Sequence, residues 1–270
     1  MSEILGIPEE DRQKLVSWME FLELAQYFTY EIIKEQNEGK TESTPDPAII
    51  DMFNSMVDEM FDYGRFILKD KRENPSDDLL TAIANAEIDG EKLSDEFLDG
   101  SWLLIIFAGN DTTRNTMSGG IKLLHENQTQ KDLLMQNQDL IPNFINETVR
   151  CVSPVIHMRR TTLEETEING QRIGAHEKVA LWYGAANRDP AIFENPDEFN
   201  ILRKNADKHL AFGIGRHTCL GKPVALMQLQ EFYSQFLSRF QDFEMNGEWK
   251  VAPNNFVHAI QEMPIKFSPK

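Results

Sequence analysis

The segment Ala211–Lys222, AFGIGRHTCLGK, holds one of the chain's two cysteines in a setting built for close backbone approach. Gly213 and Gly215 precede Cys219, Gly221 follows it, and Arg216, His217 and Lys222 supply positive charge. Glycines let a chain turn sharply and lie close against a flat object. If a helix starts just after Cys219, its amide groups point back at the sulfur and favour the thiolate. A thiolate held this way can serve as a nucleophile, a zinc ligand or an axial haem ligand. Zinc fits poorly, because no second cysteine or histidine stands at ligand spacing. A nucleophilic enzyme would use His217 as its base. The plain alternative is a small buried hydrophobe, the common fate of a lone cysteine.

Three further stretches could do chemistry. Ala108–Thr113, AGNDTT, interrupts an apolar helical pattern with middling to poor helix formers. It reads either as a kinked core helix or as a groove of small residues beside a ligand. In the second case the acid of Asp111 and the alcohol of Thr112 can hand protons to that ligand. Glu147 and Arg150 in NETVR sit three apart on one helical face, where an exposed ion pair is worth only a few tenths of a kcal/mol. Arg159 and Arg160 lie in a strand-like setting, able to meet anionic groups in bidentate fashion or to decorate a surface edge.

The elements that must position these residues are mainly helical, with a minor β portion. Leu15, Trp18, Phe21, Leu22 and Ala25 recur at three- and four-residue steps, the mark of an amphipathic helix. NEGKTESTPDP reads as a loop, after which Asp46-Pro47 opens a helix running to about Lys71. A short helix is expected near Leu79–Ala86. The longest candidate starts at Ser94 with an acidic capped turn and continues through AGNDTT to LLHEN; apolar residues on all sides predict that it runs through the core. After Arg150 short alternating runs, with Asn169-Gly170 as a hairpin signal, predict a small sheet. A last long helix is expected from about Lys222 to Phe240, followed by strands. The helical part is therefore 1–150 and the mixed part 151–270, within one domain.

Bulk properties narrow the function classes. Forty-four acidic against 27 basic residues give a net charge of −17, which a nucleic-acid backbone would repel. Two cysteines make no disulfide framework, so a reducing cytoplasm is the simpler home. The longest unbroken apolar run, Trp102–Ala108, is far short of the ~20 residues that span a bilayer. The acidic start MSEILGIPEEDRQ does not read as a secretion signal.

Taken in order, AGNDTT, ETVR, FNILR and FGIGRHTCLG resemble the motifs of the cytochromes P450, and the likeness extends from about Ile4 to Pro269. The resemblance implies the P450 fold and a haem b cofactor, with Cys219 as the axial thiolate and metal ligand. Phe212, Gly213 and Gly221 would belong to the haem-binding loop. Asp111 and Thr112 would deliver protons during oxygen activation, while Ala108 and Gly109 leave room for oxygen and substrate. Arg160 and His217 would pair with the haem propionates. Glu147, Arg150 and Arg203 would form a structural triad behind the loop.

SEILGIPEEDR resembles a mid-chain segment of that family, so an N-terminal truncation is expected, leaving apolar surface near Phe107 and Ala108 open. GNDTTRNTMSGG, HMRRTT and WYGAANRDP look most like the soluble bacterial enzymes that hydroxylate chain ends of alkanes and fatty acids; steroid side-chain oxidisers share much of this wording. Trp18, Phe21, Leu24 and Phe28 suit either greasy substrate. A basic set of Arg203, Lys204, Lys208, Arg216 and Lys222 could steer an acidic ferredoxin-type electron donor, or simply pair with propionates and solvent.

Overall fold

A computed structural model of the chain describes residues 2–21, 47–109, 111–252, 254 and 256–270. It divides into two compact units, Met1–Asp111 and Thr112–Lys270.

The first unit is helical apart from one short hairpin. It comprises α1 (Ser2–Leu5), a helical stretch over residues 12–21, α2 (Pro47–Glu73), α3 (Leu79–Ala84), the strands β1 (Glu87–Ile88) and β2 (Glu91–Lys92), and α4 (Asp95–Ala108). Proline at the first position of α2 gives up no hydrogen bond that the helix could have made. Asp78 caps α3 by accepting the Thr81 N–H at 2.7 Å, and Ser94 caps α4 by accepting from Phe97 at 3.3 Å. Leu15 and Trp18 are buried as the periodicity predicts, together with Met60, Ile67, Leu80 and Trp102. The expected positions Leu22, Leu24, Ala25 and Phe28, and the loop up to residue 46, lie outside the described residues. Trp102 donates its indole N–H to the Met60 carbonyl at 2.9 Å. It packs so tightly over α2 that a Cβ on Gly64 would stand 2.5 Å from its ring.

Two expectations for the long central helix are corrected here. It is two helices, α4 ending at Ala108 and α5 spanning Asp111–Glu126, with Gly109 capping the first through its N–H to Ile105. The physical reason is the run of weak helix formers after Ala108. Nor is α4 buried all round: Leu98, Trp102 and Ile106 form one buried stripe, while Phe97 and Leu104 are exposed.

The second unit contains most of α5, then α6 (Gln128–Gln136), α7 (Ile141–Val152), a β-rich stretch, and α9 (Lys222–Arg239) with strands after it. Strands β3 (His157–Thr161) and β6 (Lys178–Trp182) pair antiparallel and enclose the hairpin β4 (Thr166–Ile168) and β5 (Gln171–Ile173). Asn169 and Gly170 turn that hairpin with φ of 50° and 79°, as the Asn-Gly signal predicts. Chain then passes through the short helix α8 (Tyr183–Ala186). After α9, β7 (Phe240–Met245) pairs with β10 (Ile265–Pro269), and β8 (Lys250–Ala252) with β9 (Ala259–Glu262).

The core of this unit joins α5, α7 and α9 through Ile121, Phe144, Ile145, Leu229 and Tyr233. The fully buried Tyr233 hydroxyl donates to the α5 backbone, shared between the carbonyls of Thr116 and Met117 at 3.2 and 3.0 Å. That approach requires Gly120, because a Cβ there would overlap Tyr233 Oη and sit 3.0 Å from Thr148 Cγ2. Gly120→Ala is therefore expected to destabilise the chain by about 1–3 kcal/mol in urea unfolding. Adding Tyr233→Phe should recover part of that loss, so the two changes cost less together than their sum.

Candidate cofactor-binding site

Helix α7 buries residues on all sides. Ile141, Phe144, Ile145 and Val149 are apolar, but Glu147, Thr148 and Arg150 are equally inaccessible. Charged groups at zero exposure require partners, and here each has several. Arg150 grips Glu147 through two N–H groups, Nε to Oε2 at 2.7 Å and Nη2 to Oε1 at 2.8 Å. Arg203 donates from Nε to both oxygens of the same carboxylate at 3.0 and 3.1 Å. The backbone N–H of Asn200 adds a further bond to Oε1 at 2.9 Å. One carboxylate thus faces two guanidiniums, and main-chain carbonyls absorb the surplus positive charge. Arg150 donates to those of Asn187, Pro196 and Glu198; Arg203 donates to those of Glu194, Asn195 and Glu198. The ring of Phe193 lies 5.2 Å from the Arg150 guanidinium. The solvated ion pair considered for Glu147 and Arg150 is replaced by a buried triad.

Arg203 consequently leaves the basic surface set. Its guanidinium is turned into the triad, whereas Lys204, Lys208 and Arg216 are exposed. Cys151, beside the triad, accepts from Arg150 Nη2 at 3.2 Å; burial and then the neighbouring Glu147 push its thiol up to about 11. Cys219 is the more accessible of the two thiols.

Cys219 is exposed, so the buried-hydrophobe alternative does not hold. Its backbone is fixed while its side chain is presented: the Cys219 N–H donates to Phe212 at 2.8 Å, and its carbonyl accepts from Lys222 at 3.3 Å. Gly213 and Gly215 both adopt φ of 69°, where an L side chain would be strained. At Gly213 a Cβ would also press on the His217 carbonyl at 3.1 Å, with the Tyr183 hydroxyl 3.5 Å away. Gly221 has an ordinary φ of −78°, and a Cβ there would make only an ordinary contact with Cys219 Sγ at 3.9 Å. Helix α9 starts at Lys222, just after the thiol as predicted.

On the cysteine loop, Ile214 (74 %) and Leu220 (77 %) are highly exposed apolar residues. Arg216 and His217 are exposed cations or potential cations on the same loop, and Lys222 Nζ stands 5.5 Å from the Phe212 ring centroid. Arg160 is half-buried in β3, opposite Val179, with Nη1 donating to the Arg159 carbonyl at 2.9 Å. One soft sulfur, apolar flanks and nearby cations suit a flat apolar macrocycle carrying acidic groups, so the residues present fit haem. Ala108 is exposed at the end of α4, with Gly109 after it; Asp111 is buried and Thr112 half-buried at the start of α5. These four belong to the close of the first unit and the first residue of the second.

The sequence reading passed over three buried polar residues near the loop: Ser153, Asn187 and His209. Their local signals are slight, since each is a common polar type beside a turn, and only the tertiary bonds mark them out.

A family model for cytochrome P450 matches residues 45–267, a span that includes parts of both units. The chain is 33% identical over 272 residues to a steroid C26-monooxygenase of Mycobacterium tuberculosis, covering 100% of this chain and 69% of that protein. It is 31% identical to a methyl-branched lipid omega-hydroxylase of Mycobacterium bovis, covering 98% of this chain and 59% of the relative. Among solved structures, CYP108D1 from Novosphingobium aromaticivorans superposes with a TM-score of 0.82 at 31% identity, over 100% of this chain and 60% of that one. The fold and site define a mainly helical chain with a glycine-bounded cysteine loop and a buried Glu-Arg-Arg triad. The chain belongs to the cytochrome P450 family. It spans 59 to 69% of the length of these two curated relatives. Among the described residues no helix is long and apolar enough to cross a membrane.

His209 precedes the cysteine loop, and its Nδ1 accepts the Ala211 N–H at 3.3 Å. Burial, and next the charge of Lys222, push its pKa down from 6.5 to about 4. The folded state therefore resists a proton that the unfolded chain takes up. Stability from this group is complete above pH 6.5 and is lost as pH falls toward about 4. Moving from about pH 7.5 to about pH 5 should cost the parent about 2 kcal/mol more than it costs His209→Gln in urea unfolding. Equal losses in the two proteins would remove His209 from the account.

Proposed function

We propose that the chain binds haem b through Cys219 and acts as a haem-thiolate monooxygenase on an apolar substrate, the chain end of an alkane or fatty acid. The observation that carries this reading is the exposed thiol of Cys219 on a loop whose backbone is hydrogen-bonded and whose triad is buried. Haem held by that thiolate supplies dioxygen activation for insertion of one oxygen atom into a C–H bond.

The chain's own residues divide the remaining work. Phe212, Gly213 and Gly221 shape the surface on which the macrocycle rests, and Arg160 and His217 pair with its propionates. Asp111 and Thr112, adjacent at the start of α5, hold and pass protons; a carboxylate suits the positive end of a helix. The Thr116 hydroxyl donates to the Thr112 carbonyl at 2.8 Å, which fixes that first turn. Ala108 and Gly109 provide space for substrate. Electrons come from an acidic carrier of the ferredoxin type, steered by Lys204, Lys208 and Arg216, in a cytoplasm that keeps both thiols reduced.

The lipid omega-hydroxylase relative supports the chain-end substrate, and the steroid C26-monooxygenase supports a second reading, oxidation of a steroid side chain. Titrating the haem-loaded protein with a long-chain fatty acid and, separately, a steroid distinguishes them by which perturbs the Soret band at lower concentration. The primary test is the reduced, carbon-monoxide-treated spectrum with haem supplied. The parent should give the thiolate-type Soret band and Cys219→Ser should lose it. A parent without that band overturns the proposal.

A further inference from the structure

The triad does not touch the cysteine segment directly in the bonds described above, which leaves open what transmits its rigidity to the thiol. The geometry points to Asn187 as the positioning residue that fastens the start of the cysteine loop to the triad helix. Asn187 is fully buried, directly after α8, with all four of its polar groups in use. Its backbone N–H donates to Tyr183 at 2.8 Å, and its carbonyl accepts from Arg150 Nη1 at 2.8 Å. Its side chain spans the gap. Nδ2 donates to Ser153 Oγ at 2.8 Å, and Ser153 in turn donates to the Arg150 carbonyl at 2.9 Å. Oδ1 accepts the Leu210 N–H at 2.6 Å.

Leu210 is where the loop begins. Its carbonyl accepts the Gly213 N–H at 2.8 Å, and two residues later Phe212 accepts the N–H of Cys219. A continuous path of hydrogen bonds therefore runs from Arg150 through Ser153 and Asn187 to the main chain that presents the sulfur. Asparagine fits this place because one short planar group offers a donor on one side and an acceptor on the other. Ser153 is placed to receive it by a left-handed conformation, φ 44° and ψ 66°, at the end of α7. A mere space-filling role would not need both polar ends satisfied.

The assignment rests on the reading that Cys219 ligates haem, but its mechanical part is measurable without haem. Amide hydrogen exchange is followed residue by residue in the full chain, haem-free, for the parent and two variants. Asn187→Ala leaves the backbone bond to Arg150 intact and deprives the half-buried Leu210 N–H of its acceptor. Exchange at Leu210, Gly213 and Cys219 should quicken roughly tenfold to a hundredfold, with amides of α9 near Leu229–Leu237 unchanged. Asn187→Asp keeps the Leu210 acceptor but gives up the Nδ2 donor to Ser153, so it should restore only part of the protection. Uniform acceleration across the unit, no acceleration in the loop, or exchange at Leu210 as fast in Asn187→Asp as in Asn187→Ala would each overturn the assignment. Should Asn187→Ala not fold, Ser153→Ala removes only the Nδ2 partner and must still quicken Leu210; an unchanged rate is a refutation. With haem supplied, Asn187→Ala should also lower the share of thiolate-type Soret band relative to the parent. A parent that binds no haem would overturn the proposed function and leave the exchange result standing.

Discussion

A single carboxylate, Glu147, opposes two guanidiniums in a buried region of this molecule. Desolvating three charges is expensive, and attraction among them compensates only when geometry is close and every remaining lone pair and proton is satisfied. Both conditions hold: bidentate pairing by Arg150, a forked contact from Arg203 Nε, and carbonyls from the 194–198 segment taking the other N–H groups. Such a network has little freedom to adopt alternatives. It ties α7 to an irregular stretch that has almost no regular secondary structure of its own between α8 and α9.

That constraint explains how a loop rich in glycine can present a thiol in one orientation. Gly213 and Gly215 supply conformations that cost other residues strain, but they also enlarge the unfolded ensemble, so something must hold the folded form. The holding groups are main-chain bonds at Leu210, Phe212 and Gly215, backed by buried polar residues behind them. With the backbone spoken for, the sulfur is free to act as a ligand. On the same loop Ile214 and Leu220 are highly exposed apolar residues.

Much of this was legible in the residues. Periodicity marked Leu15 and Trp18 as core, Asn169-Gly170 marked its hairpin, and the start of the last helix fell where Lys222 opens it. The cysteine loop announced itself by its glycines. The triad follows from the family resemblance, whereas spacing alone does not reveal features decided by distant partners. Glu147 and Arg150 at a spacing of three look the same whether solvated or buried; only the arrival of Arg203, 53 positions after Arg150, distinguishes the cases. Arg203 was therefore also counted with surface lysines. Asn187 and Ser153 carry no pattern, because their meaning is one bond across 34 residues. The break of the long helix at Gly109 is visible as weak propensity, yet the apolar run Trp102–Ala108 before it and the helical pattern through LLHEN after it argue for an unbroken one.

The most direct test of the central constraint is urea unfolding of Glu147→Gln. This change keeps the side chain's size and removes the one negative charge opposing two buried guanidiniums. Stability should fall by about 3–5 kcal/mol, as when one partner of a buried ion pair is lost. A loss below about 1 kcal/mol, the scale of a solvated surface pair, would contradict the account.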